Sequence, residues 1–375
     1  MKLFNPKFKR NILTKVDVDF SEALSLAKVL ALIAIVLYHF LGDWLVKLNE
    51  GLVHLNLVET IMFYASKFGS QGIHVFFLAS GFGIAYSELK SRRTGSSFFI
   101  RRINRLYPSY LKAVLFSLLL YFVISNLEFT FLEVISNLFL LQNFDSELIS
   151  SINTNWWFVP TILQMYVAYF LLRDKLLGSN KLKILLLFFM GSLLYKLSIY
   201  IAVMQGGLDI KLGGVSPYSS FFLNYFWEFV VGVLLARCIS EKALTINLFA
   251  LLVLFLTGVL VESIGVYITR YEWGGLFNDD LFFVGVCFIF MSFSLMIVGW
   301  TKDLKVLLLK FVAALGGVSY EVYLIHHPIS RVVSSYLDYH GVFYLVGLFL
   351  FYFILIVLIA KLFTYKQYFT TILKE

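Results

Sequence analysis

The sequence predicts an all-α fold: a polytopic integral membrane protein with about ten transmembrane helices and both termini in the cytoplasm. Of its 375 residues, 60% are hydrophobic and only 14% are charged, whereas about a quarter of a soluble globular chain is charged. Apolar runs of about 20 residues recur, and that length lets an α-helix cross a bilayer. This composition excludes a soluble enzyme or a soluble nucleic-acid-binding domain.

Ten apolar segments have the length of tilted membrane helices. They cover roughly residues 25–45, 61–87, 108–126, 156–173, 183–203, 219–239, 244–262, 279–299, 307–329 and 341–363, with boundaries uncertain by a few residues. The chain has no fixed-period repeat and no segment with the composition of a soluble domain. We therefore expect one membrane-embedded domain over residues 1–375, with a cytoplasmic tail at 1–22 and no fused soluble domain.

The basic residues identify the cytoplasmic side. Connections on the N-terminal side contain Lys90, Arg92, Arg93, Arg101, Arg102, Arg105, Arg173, Lys175, Lys181, Lys183, Arg237, Lys242, Lys302, Lys305 and Lys310. Opposite connections contain only Lys47, Lys211, Arg270 and Arg331, and residues 127–155 contain neither Lys nor Arg. This asymmetry predicts cytoplasmic termini and accounts for the formal net charge of +8 without nucleic acid. The basic N-terminus lacks an apolar core and a cleavage site, so the first span should be an uncleaved anchor.

Lys28 and His39 share one face of the first predicted span. Eleven residues separate them, which is three turns plus about 20°, or about 16 Å along the axis. Ionisable groups are costly in hydrocarbon, so this face should line the protein interior or a water-filled cavity. We predict His39 as a general base, with Asp43 one turn later to orient its ring. The competing interpretation is a structural histidine between helices, with Lys28 extended to the membrane surface.

A dense cationic face precedes the third span. In a helix, Arg101, Arg102 and Arg105 would lie within about one turn of each other, and Pro108 would fit the first turn of the span that follows. Because arginine forks bind phosphate in a bidentate manner, this face is a candidate site for a phosphorylated cytoplasmic ligand. The alternative is an ordinary basic inner loop.

Further polar candidates lie in the outer halves of two other spans. His74 and Ser80 lie in the second span, where the small residues around Ser80 favour close helix packing. Glu321 and His326 lie in the ninth span. The adjacent His326 and His327 would point about 100° apart, so shared chelation of one metal ion is not expected.

The other charged residues within the spans and the two cysteines are predicted to have structural roles. Lys196 and Glu228 are expected to form a buried ion pair. Cys238 and Cys287 fall in different spans, which predicts neither a disulfide framework nor a metal site.

Two outer connections have distinctive compositions. Residues 127–155 contain an apolar patch at 138–141 that predicts an interfacial helix. Residues 262–280 combine aromatic, acidic and glycine residues. They are either an acceptor-binding loop, since aromatic rings stack on sugars, or a belt at the membrane interface.

Six motifs in order along the chain together resemble the acyltransferase-3 family of integral-membrane bacterial O-acyltransferases. The matching residues are Lys28 and His39; Phe76, Phe77, Ser80, Gly81 and Phe82; Arg102, Arg105 and Pro108; Trp157, Phe158, Val159 and Pro160; Phe226, Trp227, Glu228, Phe229, Gly232 and Leu235; and Ser319, Tyr320, Tyr323, Leu324 and His326. Two of the motifs depart from the pattern. Lys28 replaces the usual arginine, and Ile162 and Leu163 replace a pair of acids found in some members.

The resemblance implies transfer of an acyl group, usually acetyl, from acyl-coenzyme A to a sugar hydroxyl of a cell-surface glycan at the bacterial cytoplasmic membrane. It implies donor binding by Arg101, Arg102 and Arg105 and chemistry at His39 and Lys28, with no permanently bound cofactor. Asp43, His74, Ser80, Trp157, Glu321 and His326 are then candidates to bind the acceptor or support the site. The alternatives are a transporter or flippase of glycan intermediates, and a scaffold subunit of a polysaccharide-synthesis complex.

Helix directions predict where these groups meet. His39, His74 and His326 should reach similar heights and share one polar cavity in the outer half of the bundle. A passage should continue from it past Lys28 to Arg102 and Arg105. The competing interpretation is that His74 and His326 are isolated hydrogen-bonding residues at helix interfaces.

Overall fold

The fold is a bundle of α-helices, seen in a computed structural model. It describes residues 16–17, 19–50, 56–57, 60, 68–91, 95–125, 127–208, 214–241, 245–271, 273–300, 302–337 and 340–372. Most of the predicted cytoplasmic tail, the first part of the second predicted span (61–67) and Lys211 lie outside these residues.

The helices follow the chain in the expected order. The first six are α1 (Phe20–Glu50), α2 (Ile73–Lys90), α3 (Gly95–Leu120), α4 (Phe131–Leu138), α5 (Phe158–Gly178) and α6 (Lys181–Met204). The others are α7 (Phe226–Glu241), α8 (Leu248–Ile268), α9 (Gly274–Trp300), α10 (Lys302–Gly316), α11 (Ser319–Tyr336) and α12 (Val342–Ile372). The strands β1 (Val16–Asp17) and β2 (Thr245–Ile246) form a two-residue antiparallel pair.

Every predicted span coincides with a helix or with a bent pair of helices. Among the described residues, seven helices are long and apolar enough to cross a membrane, or eight with the bent pair α10–α11. This establishes a multi-pass membrane protein. The helices α5 and α7 do not meet the same criterion, and the 16 residues of α7 extend only about 24 Å. The count of ten spans and the cytoplasmic termini therefore stay predictions.

The ninth predicted span is broken rather than continuous. Its parts α10 and α11 meet at a 68° bend after Gly316 and Gly317, where the backbone N–H of Val318 bonds the carbonyl of Leu315. Two consecutive glycines lower the cost of leaving the helix at this point. The bend places the start of α11, at Ser319 and Tyr320, against a cavity inside the bundle.

The third helix begins earlier than predicted. Because α3 starts at Gly95, Arg102 and Arg105 belong to the helix itself and Pro108 lies in its interior. The assignment of Pro108 to a first turn was wrong. The proline ring removes one backbone donor, so the carbonyl of Asn104 loses its usual intrahelical partner.

Glycines bring the helices α2 and α7 into close contact. A Cβ atom at Gly81 would overlap the carbonyl of Phe229, and one at Gly232 would overlap the carbonyl of Leu78. This confirms the predicted close packing at the small residues of α2. The same kind of contact holds α1, where Gly69 and Gly72 abut the carbonyls of Ala34 and Ala31.

The predicted interfacial helix is α4, shifted toward the N-terminus. Thr130 caps it, with its hydroxyl accepting from the Glu133 backbone and the Glu133 side chain reaching back to the Thr130 N–H. The apolar patch at 138–141 follows the helix as a turn, in which Leu140 has φ of 60°.

Candidate functional site

A basic cavity of about 200 Å³ lies between α1, α2, α3, α5 and α11. Its cations are Lys28, Arg102 and Arg105, and Ser80, Tyr320 and Tyr323 contribute hydroxyl groups. Of the predicted passage, the part that joins Lys28 to Arg102 and Arg105 is present, whereas His39 is not among the described lining residues. We call this space the basic cavity below.

Helical periodicity explains which residues line this cavity. On α2 the wall extends from Ile73 to Ile84, eleven residues or about 16 Å. On α3, Arg102 and Arg105 are three residues apart and share a face, whereas Arg101 points about 100° away from Arg102. Arg101 is exposed and is not among the described residues of the lining. Donor binding by Arg101 stays a prediction, because exposure does not set it apart from Arg105, which is also exposed.

Aromatic rings hold the guanidinium group of Arg102. Its Cζ atom lies 5.7 Å from the ring centroids of both Phe98 and Tyr166. Such cation–π contacts are weak individually, but two of them restrict the orientation of the planar group. A fixed orientation suits bidentate binding of a phosphate.

Three imidazole rings meet beyond the opposite end of the cavity, in a group we call the histidine cluster. The ring centroid of His39 lies 5.2 Å from that of His326 and 5.0 Å from that of His327. The predicted closeness of His39 and His326 is confirmed. His39 is half-buried, so its ring is enclosed by protein without being sealed. Among the described residues, no group of His, Cys, Asp and Glu has the arrangement of a metal site.

His326 is held by hydrogen bonds at both ring nitrogens. Its Nδ1 lies 2.6 Å from the carbonyl of Tyr323, and a carbonyl can only accept, so Nδ1 carries the proton. The other nitrogen, Nε2, then accepts from the amide of Asn155 at 3.3 Å. His326 is also fully buried. Both nitrogens are engaged, so the arrangement suits a positioning role better than proton transfer.

Asp43 contacts His327 and Ser330. Its Oδ2 accepts from the hydroxyl of Ser330 at 2.6 Å, and its Oδ1 lies 3.8 Å from Nε2 of His327. Asp43 was predicted to orient His39, but its closest imidazole contact in the described structure is to His327. The spacing of one helical turn from His39 places Asp43 at the level of the histidine cluster. The orientation of α11 then determines which imidazole ring Asp43 contacts.

The segment Asn153–Phe158 contacts the histidine cluster and ends at Phe158, which lines the basic cavity. Asn153 accepts from Nδ1 of His327 at 3.2 Å, and Asn155 bonds His326. The indole N–H of Trp156 donates to the carbonyl of Leu324 at 2.9 Å, and Tyr323 donates to the carbonyl of Asn155. Sequence reasoning identified Trp157 but missed the two asparagines, because asparagine before a helix reads as an ordinary cap.

His74 belongs to a separate buried polar group. Its Nδ1 lies 2.8 Å from Oε2 of Glu228, whereas Lys196 pairs with Asp280 at 2.8 Å. The expected ion pair between Lys196 and Glu228 is therefore replaced by two other pairs. None of the rings of His39, His74 and His326 lines the basic cavity, and the predicted cavity shared by all three is not what the described residues form.

The other candidate residues have defined surroundings. Ser80 lines the basic cavity. Glu321 is buried and accepts from the hydroxyl of Ser109 at 2.6 Å, so it ties α11 to α3. The ring of Trp157 packs at a tilt against Phe77 and Tyr225, with ring centroids 6.3 and 5.5 Å away.

Tyr323 stands between the basic cavity and the histidine cluster. Its side chain lines the cavity, and its ring centroid is 5.7 Å from that of His326. His39 lies on the far side of His326. Tyr323 therefore contacts both the basic cavity and the histidine cluster.

Apolar helices enclosing a basic cavity and a cluster of imidazoles define an integral membrane protein with the groups of an acyl-transfer or anion-binding site. A family model described as an acyltransferase domain matches residues 21–365. The chain therefore belongs to the acyltransferase-3 family, and the protein is a membrane acyltransferase. No curated protein and no solved structure matches it.

Proposed function

We propose that the protein moves an acyl group, which in this family is usually acetyl, from cytoplasmic acyl-coenzyme A to a hydroxyl of a cell-surface or lipid-linked glycan. The observation that carries the proposal is the basic cavity, in which Lys28, Arg102 and Arg105 line one space next to a group of imidazoles. Three cationic side chains that line one cavity favour an anionic ligand such as the phosphates of coenzyme A.

The arginines are the proposed site for the phosphates of the donor. Arg102 is oriented by two aromatic rings, and Arg105 lies one turn further along the same face. The pantetheine arm would follow the wall of α2 from Ile84 to Ile73, which is about 16 Å long. Lys28, on the opposite wall, supplies positive charge along this path.

The proposed base is His39, the half-buried ring of the histidine cluster. As the acceptor hydroxyl oxygen bonds to the thioester carbonyl carbon, its proton passes to the imidazole of His39. The C–S bond then breaks, and coenzyme A leaves as a thiol after taking this proton. The thioester has to extend past Tyr323 to reach His39, so the proposal requires that side chain to turn aside when the donor binds.

The proposal places the chain in a bacterial cytoplasmic membrane with the arginine end of the basic cavity inward. Acyl-coenzyme A is a cytoplasmic metabolite, and the basic connections predict that this end faces the cytoplasm. The donor is a substrate in this scheme, and the scheme uses no permanently bound cofactor.

Binding and hydrolysis of acetyl-coenzyme A test the proposal. The purified protein in lipid nanodiscs should bind acetyl-coenzyme A and release free coenzyme A slowly without an acceptor. Free adenosine, which lacks the phosphates, is the matched control ligand. Absence of both binding and hydrolysis, together with movement of a glycan across vesicle membranes, would establish the transporter or flippase instead. Mass spectrometry of surface glycans from a deletion strain would then identify the acceptor and the acyl group.

A further inference from the structure

A second pocket lies beside the basic cavity, at the N-terminal end of α2. It has a volume of about 170 Å³ and is lined by Gln71, Trp157, Asn224, Tyr225, Asn278 and Asp279, among others. These residues come from the starts of α2, α5, α7 and α9 or from the turns before them. We call it the amide pocket.

We propose that the amide pocket binds an uncharged, hydroxyl-rich sugar unit of the acceptor glycan. This inference rests on the proposed function, because it assigns the acceptor's position in the same reaction. The following observations support it, beginning with the hydrogen-bonding groups of the pocket.

Two buried amides present unused acceptor atoms. Asn224 is only 2% exposed, and its Nδ2 is engaged by the carbonyls of Tyr218 and Ser219. Its Oδ1 has no partner among the described residues, and neither does Oδ1 of the buried Asn278. A buried acceptor without a partner is unfavourable. Ligand hydroxyl groups are donors of the kind that would satisfy both atoms.

Aromatic rings and one carboxylate complete the pocket. The rings of Trp157 and Tyr225 lie 5.5 Å apart at 33°, and the hydroxyl of Tyr225 donates to Oδ2 of Asp279 at 3.2 Å. Flat apolar faces beside a few fixed polar groups are typical of small-molecule sites. They match a sugar ring, which has C–H groups on its faces and hydroxyl groups around its edge.

The charge of the pocket selects against phosphorylated sugars. None of its described lining residues is Lys or Arg, and Asp279 is acidic. The nearby cation Lys196 is paired with Asp280. Asp279 would therefore repel an anionic sugar, with no cation in the described lining to offset the repulsion. The basic cavity, in contrast, is lined by cationic side chains.

The amide pocket adjoins the reaction region through consecutive residues. Trp157 lines the amide pocket, and the next residue, Phe158, lines the basic cavity. Likewise, Gln71 lines the amide pocket, and Ile73, two residues later, lines the basic cavity. The segment that carries Trp157 also holds His326 and His327 through Asn155 and Asn153. A sugar in the amide pocket would thus lie one side-chain layer from the donor.

Two substitutions test the assignment, one that preserves side-chain size and one that removes an amide. Asp279→Asn and Asn278→Ala should each raise the KM for acceptor glycan about tenfold, the equivalent of one lost hydrogen bond to the ligand. Binding and hydrolysis of acetyl-coenzyme A should stay unchanged. Glu147→Gln is the matched control, since it removes one exposed carboxylate outside the pocket.

Direct binding gives a second measurement that does not need the donor. Methyl glycosides of neutral hexoses and N-acetylhexosamines should change tryptophan fluorescence in the wild type and less so in Asn278→Ala, whereas hexose 1-phosphates should not. An unchanged acceptor KM in both variants, preference for the phosphates, or loss of donor hydrolysis together with transfer would overturn the assignment. Failure of acetyl-coenzyme A to bind the wild type would instead overturn the proposed function, and glycoside binding would still test the pocket.

Discussion

At the scale of single residues, the three rings of the histidine cluster have different surroundings. His326 uses both nitrogens within the protein, His327 lies between Asn153 and Asp43, and His39 is half-buried beside both. A residue whose polar atoms are engaged contributes to folding, whereas an available ring can exchange protons. The three positions should therefore respond differently to substitution.

We predict that His39→Ala lowers acyl transfer by at least about 10²-fold, the usual contribution of a general base. Membrane expression and the thermal unfolding temperature should stay near the wild-type values. His326→Ala is the comparison, since it removes a partner of the Asn155 amide and should lower stability. Full activity of His39→Ala with loss in His327→Ala would move the base to His327, next to Asp43.

We also predict that Arg105→Lys weakens acetyl-coenzyme A binding. The charge remains, but the planar fork that binds phosphate at two points is lost. The expected increase in Kd is about tenfold, and isothermal titration measures it. The same change at the exposed Arg101 is the control and should leave the Kd unaltered. An equal increase in Kd at both positions would mean that the arginines only mark the cytoplasmic side of the membrane protein.

At the scale of helices, the contact between α2 and α7 determines where the cavity walls lie. Gly81 and Gly232 bring the two backbones together, and the neighbouring Ser80 then faces the basic cavity. The bend between α10 and α11 acts at the opposite wall, where Tyr320 and Tyr323 line the cavity. The contact between α2 and α7 depends on glycine, because a larger residue would prevent this close backbone approach.

We predict that Gly81→Ala separates α2 from α7 and lowers both stability and donor binding. The added methyl group would meet the Phe229 carbonyl of the backbone, which cannot move aside as a side chain can. Overpacking of this kind costs about 1–3 kcal/mol. Gly191→Ala in α6 is the matched control, since nothing lies near its Cβ position. Thermal unfolding in detergent distinguishes the two, and an equal effect would contradict the packing argument.

At the scale of the whole molecule, the two cavities lie on successive stretches of the bundle. The basic cavity extends along α2 from Ile84 to Ile73, and the amide pocket begins at Gln71. This arrangement would let a donor and an acceptor enter from opposite sides of a membrane. Entry of the donor from the cytoplasm in this arrangement requires both termini to lie on the cytoplasmic side.

Cysteine labelling tests this topology. In a background of Cys238→Ser and Cys287→Ala, we expect Lys90→Cys to react with a membrane-impermeant maleimide only from the cytoplasmic side. Glu147→Cys should react only from the outside, because residues 127–155 lack Lys and Arg. Labelling of both positions from the same side would rule out the predicted orientation.

The sequence alone determined the all-α membrane fold, the helix positions and the pairing of Arg102 with Arg105 on one face. These features depend on local composition and on the helical repeat, which act within a few turns. Only the tertiary structure decided that His327 rather than His74 joins His39, that Asp43 approaches His327, and that Arg101 faces outward. It also decided the bend after Gly317 and the position of the amide pocket beside Trp157. Each of these depends on how helices distant in sequence rotate and pack against one another, and a single apolar helix carries too little pattern to specify its neighbours.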